Sequence, residues 1–281
     1  MKKITKKMLL PVITILGLAS CGGQTVKPEV AKQRAQKITE VQESKEFELP
    51  KKFYIDEDIS MEMNKKSGSV SDTESSSLTS LTSVDLENFQ FYMSSKMVGF
   101  EEDAEVKVWM YLENNTFYTV SELDDEKTYT KITIEINNFN FAEALGKSLN
   151  EVYNILSGKA YLNLDQYEEA KTQVAGQEID FGTPSVTYTS TGDGNLGITQ
   201  KASINTSVEL QGSKVSTKGN SLIKVQFDNY IISSLESEVK ASIVAGDGGV
   251  TIAASSKMNV HLNDAKFSKP NLADFTEETA A

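Results

Sequence analysis

The 281-residue chain carries 28 lysines and arginines against 40 aspartates and glutamates, a net charge of −12, with one cysteine and one histidine. That acidic excess excludes a basic face for nucleic acid or anionic headgroups. The single cysteine and single histidine exclude an internal disulfide, a cysteine metal cluster and a histidine-based zinc site, and no cofactor is expected.

Lys2, Lys3, Lys6 and Lys7 precede the mostly apolar run Met8 to Leu18, which small residues close. A helix of that length spans only about half of a bilayer core, so the pattern is a secretory signal rather than a membrane span. Leu18-Ala19-Ser20-Cys21 resembles the lipobox of bacterial lipoproteins. The resemblance implies a signal peptide over 1–20, cleavage between Ser20 and Cys21, and diacylglycerol on the Cys21 thiol. It often implies acylation, palmitate for example, of the new amino terminus as well. The protein would then be lipid-anchored on the extracytoplasmic side of the cell membrane, with the membrane as its partner through the anchor. Cleavage leaves 24 basic against 40 acidic residues, a charge of about −16. Residues 21–27, with Gly22 and Gly23, read as a flexible tether.

Pro28 to Ser44 is an amphipathic helix with a thin apolar face, Val30, Ala35, Ile38 and Val41, which suits a solvated stalk and a helix lying against the body equally. From Phe53 the period becomes two: Phe53, Ile55, Ile59, Met61 and Met63 share one face of a strand. Residues 65–83 are dominated by serine and threonine and read as a long flexible loop. A meander follows. Phe89, Phe91, Met93 and Met97 share a face, then Val106, Val108, Met110 and Leu112, with Trp109 and Tyr111 opposite. Asn114-Asn115 and Asp124-Asp125-Glu126 suit turns into Phe117 to Val120 and Tyr129 to Ile136. A helical insert covers 140–175: Asn140 caps a helix through Phe141, Leu145, Leu149, Val152 and Leu156 that Gly158 ends, and Asn163 caps a second over Leu164 to Val174. Alternating strands then run from Ala202 to Leu262, and 271–281 is a disordered tail.

The motifs yield no chemistry. A serine triad would need His261, which alternates out of phase with the apolar face of its strand, and there is no Gly-x-Ser-x-Gly elbow to present a serine. Gly192 to Gly197 spells the dinucleotide fingerprint but lacks the helix that must follow it, so it reads as a turn. The acidic clusters at Asp56, Glu101 and Asp124 lack EF-hand spacing and read as solvated turns. No enzymatic activity is expected.

The fold class is α+β, mostly β: a large curved, half-barrel-like antiparallel sheet with helices on one face. Over residues 28–270, as one domain, this order of elements resembles the LolA and LppX-like half-barrel lipoproteins. That resemblance implies an apolar cavity between sheet and helices that shelters acyl chains. The expected lining is Met61, Met63, Phe89, Phe91, Met93 and Met110, because methionine adapts to irregular apolar ligands. Two functions remain open, a lipoprotein that binds an apolar, lipid-like ligand and a cell-surface interaction or structural lipoprotein without a small ligand. For the anchor, Cys21→Ser is expected to abolish labelling by radioactive fatty acid and to move the protein from the membrane to the soluble fraction. Persistent labelling would refute the lipobox reading.

Overall fold

The computed structural model describes residues 23–99, 103–174, 177–210 and 213–278. The leader, Cys21 and the acidic pair Glu101-Glu102 lie outside the described residues, so the signal-peptide and lipidation expectations do too. In chain order the elements are β1 (Gln24–Val26), α1 (Pro28–Gln42), β2 (Lys52–Ser67), β3 (Val70–Asp85), β4 (Gln90–Val98), β5 (Ala104–Glu113), β6 (Thr116–Leu123) and β7 (Glu126–Thr133). There follow α2 (Phe141–Ser157), β8 (Lys171–Val174), β9 (Gln177–Asp180), β10 (Ser185–Gly192), β11 (Asn195–Leu210), β12 (Ser213–Asp228), β13 (Ile231–Ala245), β14 (Gly248–Leu262) and β15 (Thr276–Glu277).

The strands β2 to β7 form one antiparallel meander and β10 to β14 a second. Pairing of β14 with β2 fuses them into one open sheet of 13 strands, in the order β1-β10-β11-β12-β13-β14-β2-β3-β4-β5-β6-β7-β15. This is the mostly-β curved sheet that the alternating pattern predicts. Both edge strands are very short, of 3 and 2 residues, as is common at protected sheet edges. The hairpin turns have the chemistry they need: Asn114 and Asn115 both hold positive φ, 48° and 60°, as a type I′ turn requires.

Residues directly opposite in neighbouring strands share a face, so the register sorts the sheet into two sides. The inner side carries Phe53 and Ile55, Val84, Phe91, Ile198, Val225 and Leu235, packed on α1 and α2. In α1, Ala31, Ala35 and Ile38 are buried, which selects the helix lying against the body over the solvated stalk. In α2 the buried residues are Phe141, Leu145, Leu149, Val152 and Leu156, each contributing roughly 1.5–3 kcal/mol through burial. Asn140 accepts a hydrogen bond from the Glu143 amide, Gly146 breaks the helix axis at φ 48°, and Gly158 ends it at φ 57°. A Cβ on Gly158 would lie 2.7 Å from the Phe227 ring, so only glycine lets the helix end this close to β12.

Four expectations are corrected. Residues 65–83 are not a loop: they complete β2 and form β3, paired with β2 from Ser67 opposite Val70 to Lys52 opposite Asp85. Low hydrophobicity there reflects a hairpin tip, residues 65–75, exposed on both faces, where hydroxyls and amides bond across strands, as in Asn64 to Thr73 and Ser71 to Asn64. The tether is in part a strand, since Gln24 to Val26 pair with Ser190 to Tyr188 and Val26 packs on the core. The second helix shrinks to a 3-10 turn, Leu164–Glu168, still capped by Asn163, before β8 begins at Lys171. Residues 271–278 of the supposed disordered tail make a 3-10 turn and β15.

That tail forms a strap across the outer face. Lys266 N donates to Ser83 Oγ at 2.7 Å, Trp109 Nε1 donates to the Ser268 carbonyl at 3.1 Å, and Phe275 meets the Trp109 ring edge-on at 6.1 Å. Tyr129 and Lys131 both donate to Glu277. Thus Trp109, Tyr111 and Val120 are buried on the side of the sheet away from the helices. Phe275→Ala is expected to lower stability by about 1–3 kcal/mol and to red-shift the emission of Trp109, the only tryptophan, both read in a fluorescence-monitored denaturant titration. An unshifted spectrum would show that the strap does not shield the indole.

Candidate functional site

The helices cover only part of the inner face. Helix α2 begins over β4 and β6, where Phe141 meets Phe89 at 5.9 Å and Phe117 at 6.1 Å. It crosses β2, with Tyr153 at 6.4 Å from Phe53, and ends against Phe227 and Ile232. Beyond it, the segment from Lys159 to Gly182 covers the second meander: Gln200 Nε2 donates to the carbonyls of Tyr167 and Glu169 at 2.9 and 2.8 Å. Phe181 and Ala170 pack there on Ala202, Val239, Ala241 and Ile252.

What remains open is a band across the first meander. Register places Ile59 opposite Leu78, Leu78 opposite Met97, Met93 opposite Val108 and Val106 opposite Leu123, all on the inner face. Met61 extends the band along β2. Met97 is 37% and Leu123 49% exposed, and the rest are half-buried, so these side chains form an apolar trough beside α2.

Of the six residues expected to line a cavity, Met61 and Met93 stand in this band. Phe91 is 1% exposed and belongs to the core under α2, and Phe89 and Met110 pack against that core. Met63 packs beside Phe181. Six members of the band were not among the expected lining: Ile59, Leu78, Met97, Val106, Val108 and Leu123. All but Leu78 and Leu123 lie in the alternating apolar series of their strands, and the phase of that series was the signal for their face.

One ionisable group breaks the apolar floor. Glu57 lies on the inner face one pair below Ile59, between Met258 on β14 and Ser80 on β3. Ser80 Oγ donates to Glu57 Oε2 at 3.4 Å. Burial pushes the Glu57 carboxyl above its usual value, the bond from Ser80 opposes this, and the neighbouring charge of Asp58 adds to it. The Tyr161 hydroxyl is also pushed up, first by burial and then by the charge of Glu57, so the two groups sit within electrostatic reach. Ser256 and Ser237, both buried, lie in the neighbouring row that runs from Ile59 toward β13.

The residues tested for chemistry lie elsewhere. His261 is on the outer face, its ring stacked on Tyr54 at 4.1 Å with Nε2 at 2.6 Å from Asp56 Oδ2, while the Lys266 ammonium stands over the other side of Tyr54 at 4.2 Å. The fingerprint glycines make the turn between β10 and β11, where Asp193 pairs with Arg34. Asp56 also accepts from Asn259 at 2.6 Å, and Glu105 and Glu122 belong to a charge ladder with Lys96, Lys107 and Lys127. Among the described residues, no group of three or more histidine, cysteine, aspartate or glutamate side chains could hold a metal ion. The trough therefore offers recognition, an apolar surface with a half-buried carboxyl at one edge.

Because the folded pKa of Glu57 is raised, its contribution to stability is present below its ordinary value of 4.5 and is lost as pH rises through the folded value. Glu57→Gln cannot ionise and is expected to gain thermal stability relative to the wild type as pH rises from about 4 to 8. A variant that instead loses ground toward neutral pH would show that a cation holds the carboxylate.

Comparison with protein-family models finds no match, and comparison with curated proteins finds none either. Among solved structures, the chain has some likeness to the ywiB protein from Bacillus subtilis, at 7% identity over 73% of this chain and 92% of that one, with a TM-score of 0.18. Neisserial surface protein A (NspA) is similar at 8% identity over 74% and 96% of the two chains, with a TM-score of 0.16. Likeness at that level carries no argument about fold or function.

Proposed function

We propose that this protein is a membrane-anchored bacterial lipoprotein that binds the hydrocarbon part of a lipid-like ligand in the inner-face trough. The observation that supports this is the band from Ile59 to Leu123: apolar side chains, interrupted by Ser80 and Ser95, left half-exposed on an inner face whose core around Phe53, Phe91 and Val225 lies under the helices. Monomeric proteins rarely leave such a patch open without a binding role. A hydrocarbon chain laid along it gains about 0.8 kcal/mol for each methylene removed from water, enough for a modest number of methylenes to hold a ligand.

The anchor and the trough are compatible in geometry. β1 enters beside Ser190, at the end of the sheet that carries the Asp193-Gly194 turn, so a lipid on Cys21 would hold that end at the bilayer. The tips near Gly68 and Gly246 would then project about 50 Å away, the length of a strand of 15 or 16 residues. Among the described residues no helix is long and apolar enough to cross a membrane. The alternative, an interaction lipoprotein without a small ligand, draws on the 68% exposure of Val70 at one of those tips.

The environment-sensitive dye N-phenyl-1-naphthylamine separates the two. Its emission is expected to rise on binding the wild type and to fall when a long-chain lipid displaces it. Met97→Glu and Leu123→Glu, at half-exposed positions that tolerate a charge, are expected to weaken dye binding at least tenfold with an unchanged circular dichroism spectrum, whereas Val70→Glu leaves it intact. Equal binding by both trough variants would place the dye elsewhere and overturn the proposal.

A further inference from the structure

The trough has a polar end as well as an apolar floor, and the charged inner-face groups bordering the band, Glu57 beside Ile59 and the exposed Glu126 opposite Leu123, are acids. Glu57 is flanked by Ser80 on one side and by Met258 on the other, and neither neutralises it. The ion pairs among the described residues do not include Glu57, although they include most of the other acids on this sheet. A carboxyl set into an apolar floor costs stability unless something offsets its desolvation, and the described residues supply one long hydroxyl bond for this. The groups facing it are the Ser80 hydroxyl and, within electrostatic reach, the Tyr161 phenol, with Asp58 pointing to the outer side from the next position.

We infer that Glu57 receives the head of the bound amphiphile, and that the trough selects a ligand with a protonated amine head over one with a carboxylate head. The inference rests on the trough being the lipid site and adds its chemical specificity. An ammonium presents donors to both carboxylate oxygens and replaces the missing partner, with the Ser80 hydroxyl beside it able to accept a further bond. Its hydrocarbon tail would run from Glu57 over Ile59 and Leu78 toward Met97, since these four lie on adjacent inner-face positions of β2, β3 and β4. A carboxylate head in the same place would set two like charges together in a poorly solvated site, which is strongly unfavourable. The fit is local, so it is separable from the general attraction of an acidic protein for cations, which salt screens beyond roughly 8 Å at physiological ionic strength.

The test is displacement of N-phenyl-1-naphthylamine by dodecylamine and by dodecanoate, below their micelle concentrations and at physiological ionic strength. The proteins are the wild type, Glu57→Gln and Ser80→Ala, each checked for an unchanged thermal transition. Wild type is expected to prefer the amine at least tenfold, and Glu57→Gln to reduce that preference to less than threefold while keeping affinity for dodecanol, the neutral chain of the same length. Ser80→Ala retains the preference, because the carboxyl remains, and serves as the folded control if Glu57→Gln loses its structure. Equal binding of amine and carboxylate by the wild type, or a preference that survives in Glu57→Gln, overturns the inference and leaves the lipid site standing. Failure of all three amphiphiles to displace the dye overturns the lipid site and the inference together.

Discussion

The architecture depends on one pairing, β14 against β2. It runs the full length of both strands, from Gly248 opposite Ser67 to Leu262 opposite Phe53, and joins segments that lie far apart in the chain. Without it there are two meanders, neither with an inner face wide enough for both helices. With it there is a single inner face wide enough to take both helices, and the core forms where they meet, around Phe53, Ile55, Met258, Leu235 and Phe227. Contacts of such long sequence separation carry a loop-closure cost that the packed core has to offset.

The same pairing explains why a trough exists. The insert between the meanders supplies one long helix and a short covering segment, whereas β2, β3 and β11 to β14 are each 15 or 16 residues long. Helix α2 covers one end of the sheet and the segment to Gly182 covers the second meander, so the far part of the first meander has no cover. On the other side, the strap from Ala265 to Glu278 buries Trp109 and Tyr111, which makes this region a sheet with apolar groups on both faces and a cover on only one. The burial of Tyr111 raises its hydroxyl to about 12, in keeping with a dry outer cluster.

Most of the fold was legible because period-two alternation and turn chemistry are local. Asn140, Gly158, Asn163 and the Asn114-Asn115 turn sit where their side chains and backbone preferences place them. What was misread was also physical. Composition suggested disorder for residues 65–83, yet a hairpin tip exposed on both faces needs pairing partners rather than apolar mass, and Leu78 and Thr82 hold the inner-face alternation nearer the core. The strap was illegible because its anchors, Phe267, Leu272 and Phe275, are isolated in a polar stretch and gain meaning only beside Trp109. For the site, alternation gave the face of Ile59, Met93, Met97 and Val106, but which of them a helix covers depends on where α2 crosses, a tertiary fact. Phe91 and Met110 were therefore grouped with Met61 although they serve the core. Glu57 escaped notice because it stands within the acidic run Asp56-Glu57-Asp58, where only register reveals that the middle carboxyl faces inward.

The central claim is that the uncovered inner face takes up a hydrocarbon chain. Hydrogen–deuterium exchange of the full chain lacking residues 1–20, with and without mixed phospholipid vesicles, tests this most directly because it reports the face engaged as well as the fact of binding. The account predicts slower exchange in the upper halves of β3, β4 and β5, around Leu78, Met97 and Val106, with little change in β11 to β13. Unchanged exchange throughout, or protection confined to the hairpin tips near Val70 and Gly246, would contradict it.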